Sequence, residues 1–569
     1  MRWRTRRYEL HVVIMRLTIL VVTAVVTACT SSSSSAPTPA SGTSAAIEPR
    51  DLERRLNVIA HDSMMGRETG SEGDFKTTAY IASEFRRLGL QPAGENGTYF
   101  QTVPFWRVAI DPQSRITAGG TTLQLRRDFL PAGAPVPTRS LTGVEAILGG
   151  AVNDTARWIP AEAARGKIVV IDFPPGVSIR ATPFSARRWP DVAAIALVAL
   201  EQIAPEASAR LVEGRPVKDS TLNTAATPLI WISRRAATVL LGGDPTTLAP
   251  GAVGPKLGAR FGFVSSRVPF PARNVVAILP GRDPAFRGEY VALTAHNDHV
   301  GFDHAPVDHD SVRAFNRVVR PMGADSPQRD ATPEEWTRIR PILDSLRRVN
   351  RPRPDSVRNG ADDDGSGTVS ILEIAEAMAR GPEKPRRSIL FVSHTAEEAG
   401  LLGSAWFTDH ATVPLDSVVA EIDQDMVGRG LPTDFPRGGT GAGSPTYLEV
   451  VGDQKLSREF ASMLDAANAR QPVPFEFDRS YAQPGHPLQY YCRADHYNYA
   501  RYGIPAVALS RGEHLDYHQV TDEAQYISYS DLARVTRLVF DAAMSIANAD
   551  HRPALDAPKP TNPHAPCRQ

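Results

Sequence analysis

Tyr290-Val291-Ala292-Leu293-Thr294-Ala295-His296-Asn297-Asp298 reads as one buried strand that runs directly into a histidine and an aspartate. Apolar and β-branched residues favour a strand over 290–295. Outward from it, the arrangement recurs. Ile389 to Ser393 is a second apolar strand with Glu397-Glu398 shortly after it, and Val418 to Ile422 a third that leads to Asp425. Ile504 to Leu509 is a fourth, with Asp516-Tyr517-His518 beyond it. Between the first two, Asp362-Asp363-Asp364 opens a segment, Val369 to Ala379, with helical periodicity. Strands alternating with helices predict an α/β fold: a mixed, mostly parallel sheet flanked by helices. Ligands of such sheets bind in the crevice beyond the carboxyl ends of the strands, where nearly all of these polar residues fall.

Two histidines and several carboxylates, with no thiolate among them, suit a divalent ion such as zinc. Their number exceeds the needs of one tetrahedral ion and fits two ions ~3.5–4 Å apart that share a carboxylate. An adjacent acid pair such as Glu397-Glu398 then divides the labour, one acid ligating and the other acting as general base. Two blander readings compete. Asp362, Asp364, Ser366 and Glu373 match the spacing of a calcium loop, but Arg351-Pro352-Arg353-Pro354 and Asn359-Gly360 forbid the helix that must precede one. The aspartates could also simply cap the following helix. His299, His304, His309 and His394 are read as solvated or core histidines, and Glu421/Asp423 have no assigned role.

The chain has 569 residues, enough for two or three domains. Its 63 Lys+Arg balance 63 Asp+Glu, and only 7 of the basic residues are Lys, so no clustered basic surface argues for a nucleic-acid partner. Three Cys are too few for a disulfide scaffold. Arg2, Arg4, Arg6 and Arg7 precede an apolar run from Leu17 to Ala28 that ends in Val26-Thr27-Ala28-Cys29. That is the pattern of a lipoprotein signal over 1–29 with a lipid on Cys29, too short to span a bilayer. Residues 30–47 form a Ser/Pro-rich tether, so the expected location is the cell envelope, on the periplasmic side of the outer membrane. Residues 48–104 and 269–548 make up one discontinuous domain. Residues 105–268, with short strands, Pro/Gly turns and no carboxylate cluster, form an inserted β-rich domain. Residues 303–358 read as a polar surface excursion and 549–569 as a disordered, Pro-rich tail.

Five segments in this order resemble the motifs of the co-catalytic di-zinc aminopeptidase family, which also contains glutamate carboxypeptidases. They are Ala295 to Gly301, Asn359 to Gly367, Thr395 to Gly400, Asp423 to Arg429 and Asp516 to Glu523. Met65-Gly66-Arg67-Glu68-Thr69-Gly70 resembles the N-terminal piece of the longer bacterial members, and 105–268 their protease-associated domain. By position, the resemblance implies two Zn²⁺: His296 and Asp425 on one, Glu398 and His518 on the other, and Asp363 bridging them. It further implies Glu397 as general base, Asp298 orienting His296, and Tyr491 donating to the tetrahedral intermediate. The Asp363–Asp364 peptide would be cis. Asn297 departs from the commoner apolar residue, and its side chain is expected to point away from the metals.

The resemblance implies an exported metallo-aminopeptidase acting on peptides. A carboxypeptidase or dipeptidase would require an Arg pocket for the substrate carboxylate, and a non-catalytic receptor-like protein would have lost the ligands. The pairing of Cys492 with Cys567 is left open.

Overall fold

The computed structural model describes residues 42–569 apart from 175, 178–184, 204, 218–221, 437–441 and 557. The signal expected over 1–29, Cys29 and most of the tether lie outside the described residues.

Six strands carry the larger sheet: β1 (Ala272–Leu279), β2 (Tyr290–His296), β3 (Ser388–His394), β4 (Val418–Gln424), β5 (Tyr447–Val451) and β6 (Ala506–Ser510). Their spatial order is β1-β3-β2-β4-β6-β5; short edge segments pairing with β1 and β5 bring the sheet to nine strands among the described residues. The central four, β3, β2, β4 and β6, are mutually parallel, whereas β1 and β5 run antiparallel to their neighbours. Register pairs His296 with His394 and Thr294 with Asp423, so the polar strand ends come out level on one edge.

Helices α1 (Pro49–Ile59), α2 (Glu72–Arg87), α3 (Gly365–Arg380) and α4 (Tyr529–Asn548) cover this sheet. Leu52, Leu56 and Ile59 on α1, and Ile81 and Phe85 on α2, recur at helical spacing and are fully buried. The Ser71 hydroxyl accepts the Asp74 N–H at the start of α2, and Gly89, in the left-handed region, follows its end. Helix α3 is buried from Gly365 to Met378, and its two acids, Glu373 and Glu376, meet the fully buried Arg55 of α1.

Residues 105–268 build separate β structure, with an eight-stranded and a three-stranded sheet among the described residues. These sheets have their own apolar clusters, around Ile116, Phe129, Ile168 and Ile230, and around Val169, Trp189 and Ile195.

Two expectations are corrected. Residues 303–358 are more than a polar excursion: strand Phe302–Asp308, helices His309–Asn316 and Pro333–Val349 and strand Pro354–Val357 enclose a small core of Ala314, Val319 and Ile339. Apolar residues on these two helices and just after the first account for this. The tail, for its part, is docked. Arg552 bonds Glu289, Lys559 bonds Asp416, the Ala554 N–H donates to Glu459, and Cys567 is disulfide-bonded to Cys492. Proline rules out a helix there, but an extended chain with charged anchors still packs.

Candidate metal centre

The acids and imidazoles at the strand ends converge into two groups. His296, Asp363 and Asp425 form one; His299, Asp363, Glu398 and His518 form the other, so Asp363 belongs to both. In the first, His296 Nε2 lies 3.1 Å from Asp363 Oδ1 and 3.7 Å from Asp425 Oδ1. In the second, His518 Nε2 lies 2.9 Å from both Asp363 Oδ2 and Glu398 Oε2, and His299 Nδ1 lies 2.9 Å from Glu398 Oε1. Ligand atoms ~2.1 Å from a tetrahedral zinc would stand about 3.4 Å apart, which matches this spacing.

The donor set fits a pair of cations. His296 Nε2, Asp363 Oδ2, Glu398 Oε1, Asp425 Oδ1 and His518 Nε2 are all buried without a hydrogen-bond partner. Buried polar atoms are rarely left unpaired, and carboxylates this close repel one another. A divalent ion in each group answers both problems. The field of the site is correspondingly negative. Burial alone would discharge His518, but Glu398 and Asp363 outweigh it and hold the imidazole at about 10.

The scaffold around the ligands follows from strand ends and one helix start. Asp363–Asp364 is a cis peptide immediately before α3. Asp364 accepts the Gly367 N–H at 2.8 Å, capping α3, and the His296 N–H at 3.0 Å, tying the helix to β2. Asp522 Oδ2 accepts the N–H groups of Asp362 and Asp363 at 3.0 and 3.2 Å. The calcium template is not realised: Glu373 is turned to Arg55, while Asp362 accepts the Gly428 N–H at 2.6 Å and faces His514 at 3.2 Å.

Glu397 stands at the first group, its Oε2 3.9 Å from His296 Nε2. Burial pushes its carboxyl well above the usual range, with Asp425 and Glu398 adding to this against the opposing pull of His296. Glu398 behaves oppositely: burial would raise it, but His518 and His299 prevail and hold it at about 2. The adjacent acids are thus electrostatically distinct.

Asp298 does two things. Its carbonyl is 3.1 Å from His296 Nδ1, with its carboxylate at 3.6 Å, so the imidazole is oriented mainly through the main chain. Its side chain accepts the Glu397 N–H at 3.0 Å and the Thr69 hydroxyl at 2.8 Å. Asn297 points away from the ligands, as expected, donating to Ser393.

Tyr491 is not at the ligands. Residues Tyr490–Cys492 form a 3-10 turn, whose successive side chains diverge by about a third of a turn. Tyr491 therefore packs on His496 and Tyr497 in an apolar cluster, while Tyr490 lines a cavity that also contains Asp363, Glu397 and Asp425. Glu449, Arg493, Glu513 and Tyr517 complete its polar wall.

Sequence reasoning missed His299, which it assigned to solvent or core; its spacing three residues after His296, past the same strand, was the available signal. The core reading holds for His394, buried with Nε2 3.1 Å from the Tyr499 hydroxyl. His309 is also buried, at 3.3 Å from Glu523. Arg67 was missed as well. Fully buried, it donates to the carbonyls of Asn297, Gly360 and Asp363 at 3.0, 3.0 and 3.2 Å and so ties the His296 segment to the Asp363 segment. Gly66 must be glycine for Arg67 to get there, since a Cβ would lie 2.2 Å from the Gly301 carbonyl. The Glu421/Asp423 pair now has a place: both accept from Thr294 within the sheet.

Fold and site together define an α/β domain with two groups of candidate metal ligands, sharing Asp363, at the carboxyl edge of a mostly parallel sheet. Residues 274–543, just under half of the chain, match the model of Peptidase family M28. A leucine aminopeptidase 1 of Paracoccidioides brasiliensis is 29% identical over 213 residues, covering 36% of this chain and 50% of that protein. A leucine aminopeptidase 1 of Coccidioides posadasii is 31% identical over 204 residues, 34% of this chain and 47% of the relative. The chain thus spans about half the length of the curated relatives it matches. BSAP, a zinc aminopeptidase from Bacillus subtilis, superposes with a TM-score of 0.46 at 17% identity, over 88% of this chain and 95% of that one.

Proposed function

We propose that this chain is an exported metallo-aminopeptidase that removes N-terminal residues from peptides with the help of two zinc ions. The observation that carries the proposal is the pair of donor groups sharing Asp363, each with buried, unpartnered ligand atoms. His296 and Asp425 would hold one ion, Glu398 and His518 the other, and Asp363 both. When bound, zinc supplies Lewis acidity to the scissile carbonyl and the attacking water.

The remaining chemistry belongs to the protein. Glu397 takes the proton of the attacking water and returns it to the leaving amine, a task that its raised affinity for protons suits. Asp298 fixes Glu397 through its backbone N–H and His296 through Nδ1. His299 Nδ1 stands 2.9 Å from Glu398 Oε1, beside the second donor group. The aminopeptidase direction, rather than the carboxypeptidase one, is favoured by the cavity: Glu449 and Glu513 offer carboxyl oxygens to a substrate ammonium, while both Nη atoms of its Arg493 are engaged by Asp325.

One peptide offered free, N-acetylated and C-amidated separates the two. Stepwise N-terminal loss, blocked by acetylation and unaffected by amidation, is the expected result by mass spectrometry. A requirement for a free carboxylate would assign the chain to the carboxypeptidase branch.

Residues 105–268 are proposed to be a protease-associated domain. Residues 1–29 are proposed to be a lipoprotein signal that anchors Cys29 on the periplasmic side of the outer membrane. Cys29→Ala should release the protein from membranes on fractionation; continued membrane association would refute the anchor.

A further inference from the structure

We propose that the 303–358 insertion sets which N-terminal residue the cavity accepts, with Asp325 as the positioning residue that acts through Arg493. The inference rests on the aminopeptidase reading above. The cavity that contains Glu397 and Asp425 is also lined by Tyr490, Arg493 and Tyr517, and segment 323–325 of the insertion touches two of these three. The Ala324 N–H donates to the Tyr517 carbonyl at 3.0 Å. Gly323 sits so close that a Cβ would come within 2.4 Å of the same carbonyl. One oxygen of Asp325 accepts from both Nη1 and Nη2 of Arg493 at 3.1 Å, and the guanidinium lies 5.3 Å over the Tyr490 ring. Asn316 of the insertion adds a bond to the Leu515 carbonyl at 2.9 Å, which fixes the strap that leads to Tyr517 and His518.

The electrostatic consequence concerns substrate charge. Arg493 is the cation of the cavity wall, facing Glu513, and Asp325 occupies its fork from outside. An acidic N-terminal side chain entering the cavity therefore finds the lining cation already engaged, with the carboxyls of Glu449 and Glu513 beside it. Neutral and basic side chains need no such cation. Removing the charge of Asp325 leaves Arg493 able to pair with an acidic substrate.

The test uses the zinc-loaded full chain and the p-nitroanilides of Leu, Lys and Glu. The wild type is expected to cleave the Leu and Lys substrates and to be slow on Glu. In Asp325→Asn, kcat/KM for Glu relative to Leu should rise on the order of tenfold, chiefly through KM, as expected when a substrate side chain gains a charge partner. Asp325→Glu should restore the wild-type ratio, and Arg493→Gln added to Asp325→Asn should abolish the gain. An unchanged Glu/Leu ratio in Asp325→Asn would overturn the inference, as would a gain that survives the loss of Arg493. Should Asp325→Asn fail to fold, Arg493→Gln alone decides: the Lys/Leu ratio must rise as the wall loses its cation, and a constant ratio refutes the proposal. No turnover of any substrate by the wild type would instead overturn the aminopeptidase reading itself.

Discussion

Asp363 is the residue on which both donor groups depend, since it faces His296 through one oxygen and His518 through the other. Asp363→Ala should therefore bring bound zinc below one equivalent by elemental analysis, whereas loss of Asp425 alone should spare the second ion. Retention of two ions by Asp363→Ala would mean that the groups do not share it. Most of this site was legible in the chain, because its ligands sit at strand ends within short polar motifs. The unread part depended on backbone direction. Whether Tyr490 or Tyr491 faces the ligands is decided by one turn, which composition does not specify. His299 looked like any histidine past a strand until the chain folded it against Glu398.

The elements are tied together by a buried ionic cluster as well as by apolar packing. Arg55 of α1 meets Glu84 of α2 and both acids of α3, all nearly or fully buried. Removing one member of such a cluster leaves uncompensated charge, so Arg55→Met should cost about 3–5 kcal/mol in chemical denaturation. Burial would raise Glu376, but hydrogen bonds from Arg87 and Thr43 and the charge of Arg55 prevail and hold it at about 2, below its ordinary 4.5. Its contribution to stability is therefore full above about pH 4.5 and is lost as the pH falls toward 2. The stability gap between wild type and Glu376→Gln should accordingly shrink between pH 6 and pH 3; a constant gap would contradict the assignment. Helix and strand positions were readable to within a few residues from periodicity. This cluster was not, because Arg55 and Glu373 are distant in sequence and each alone resembles a solvated charge.

On the scale of the whole molecule, the tail and the insertion hold the cavity wall from two directions. Cys567 is bonded to Cys492, 75 residues away, and Gln569 adds bonds to Tyr491 and Gln483. Closing a loop of that length is worth about 4–5 kcal/mol in chain entropy. Cys567→Ser should lower the melting temperature and raise KM more than it lowers kcat, since it loosens Tyr490 and Arg493 but no ligand. An unchanged KM would show that the wall is held without the tail. Proline content had suggested disorder for this segment. Its anchors are single residues spread over the tail, a pattern too sparse to read before their partners are in place.

The central claim is that two neighbouring acids divide the work, Glu398 holding metal and Glu397 moving the proton. The most direct measurement is zinc stoichiometry and turnover of Glu397→Gln beside the wild type. The account predicts two equivalents of zinc in both, with turnover of the variant down by about 10²–10⁴-fold, the usual worth of a general base. Loss of zinc from Glu397→Gln, or undiminished turnover with both ions in place, would contradict it.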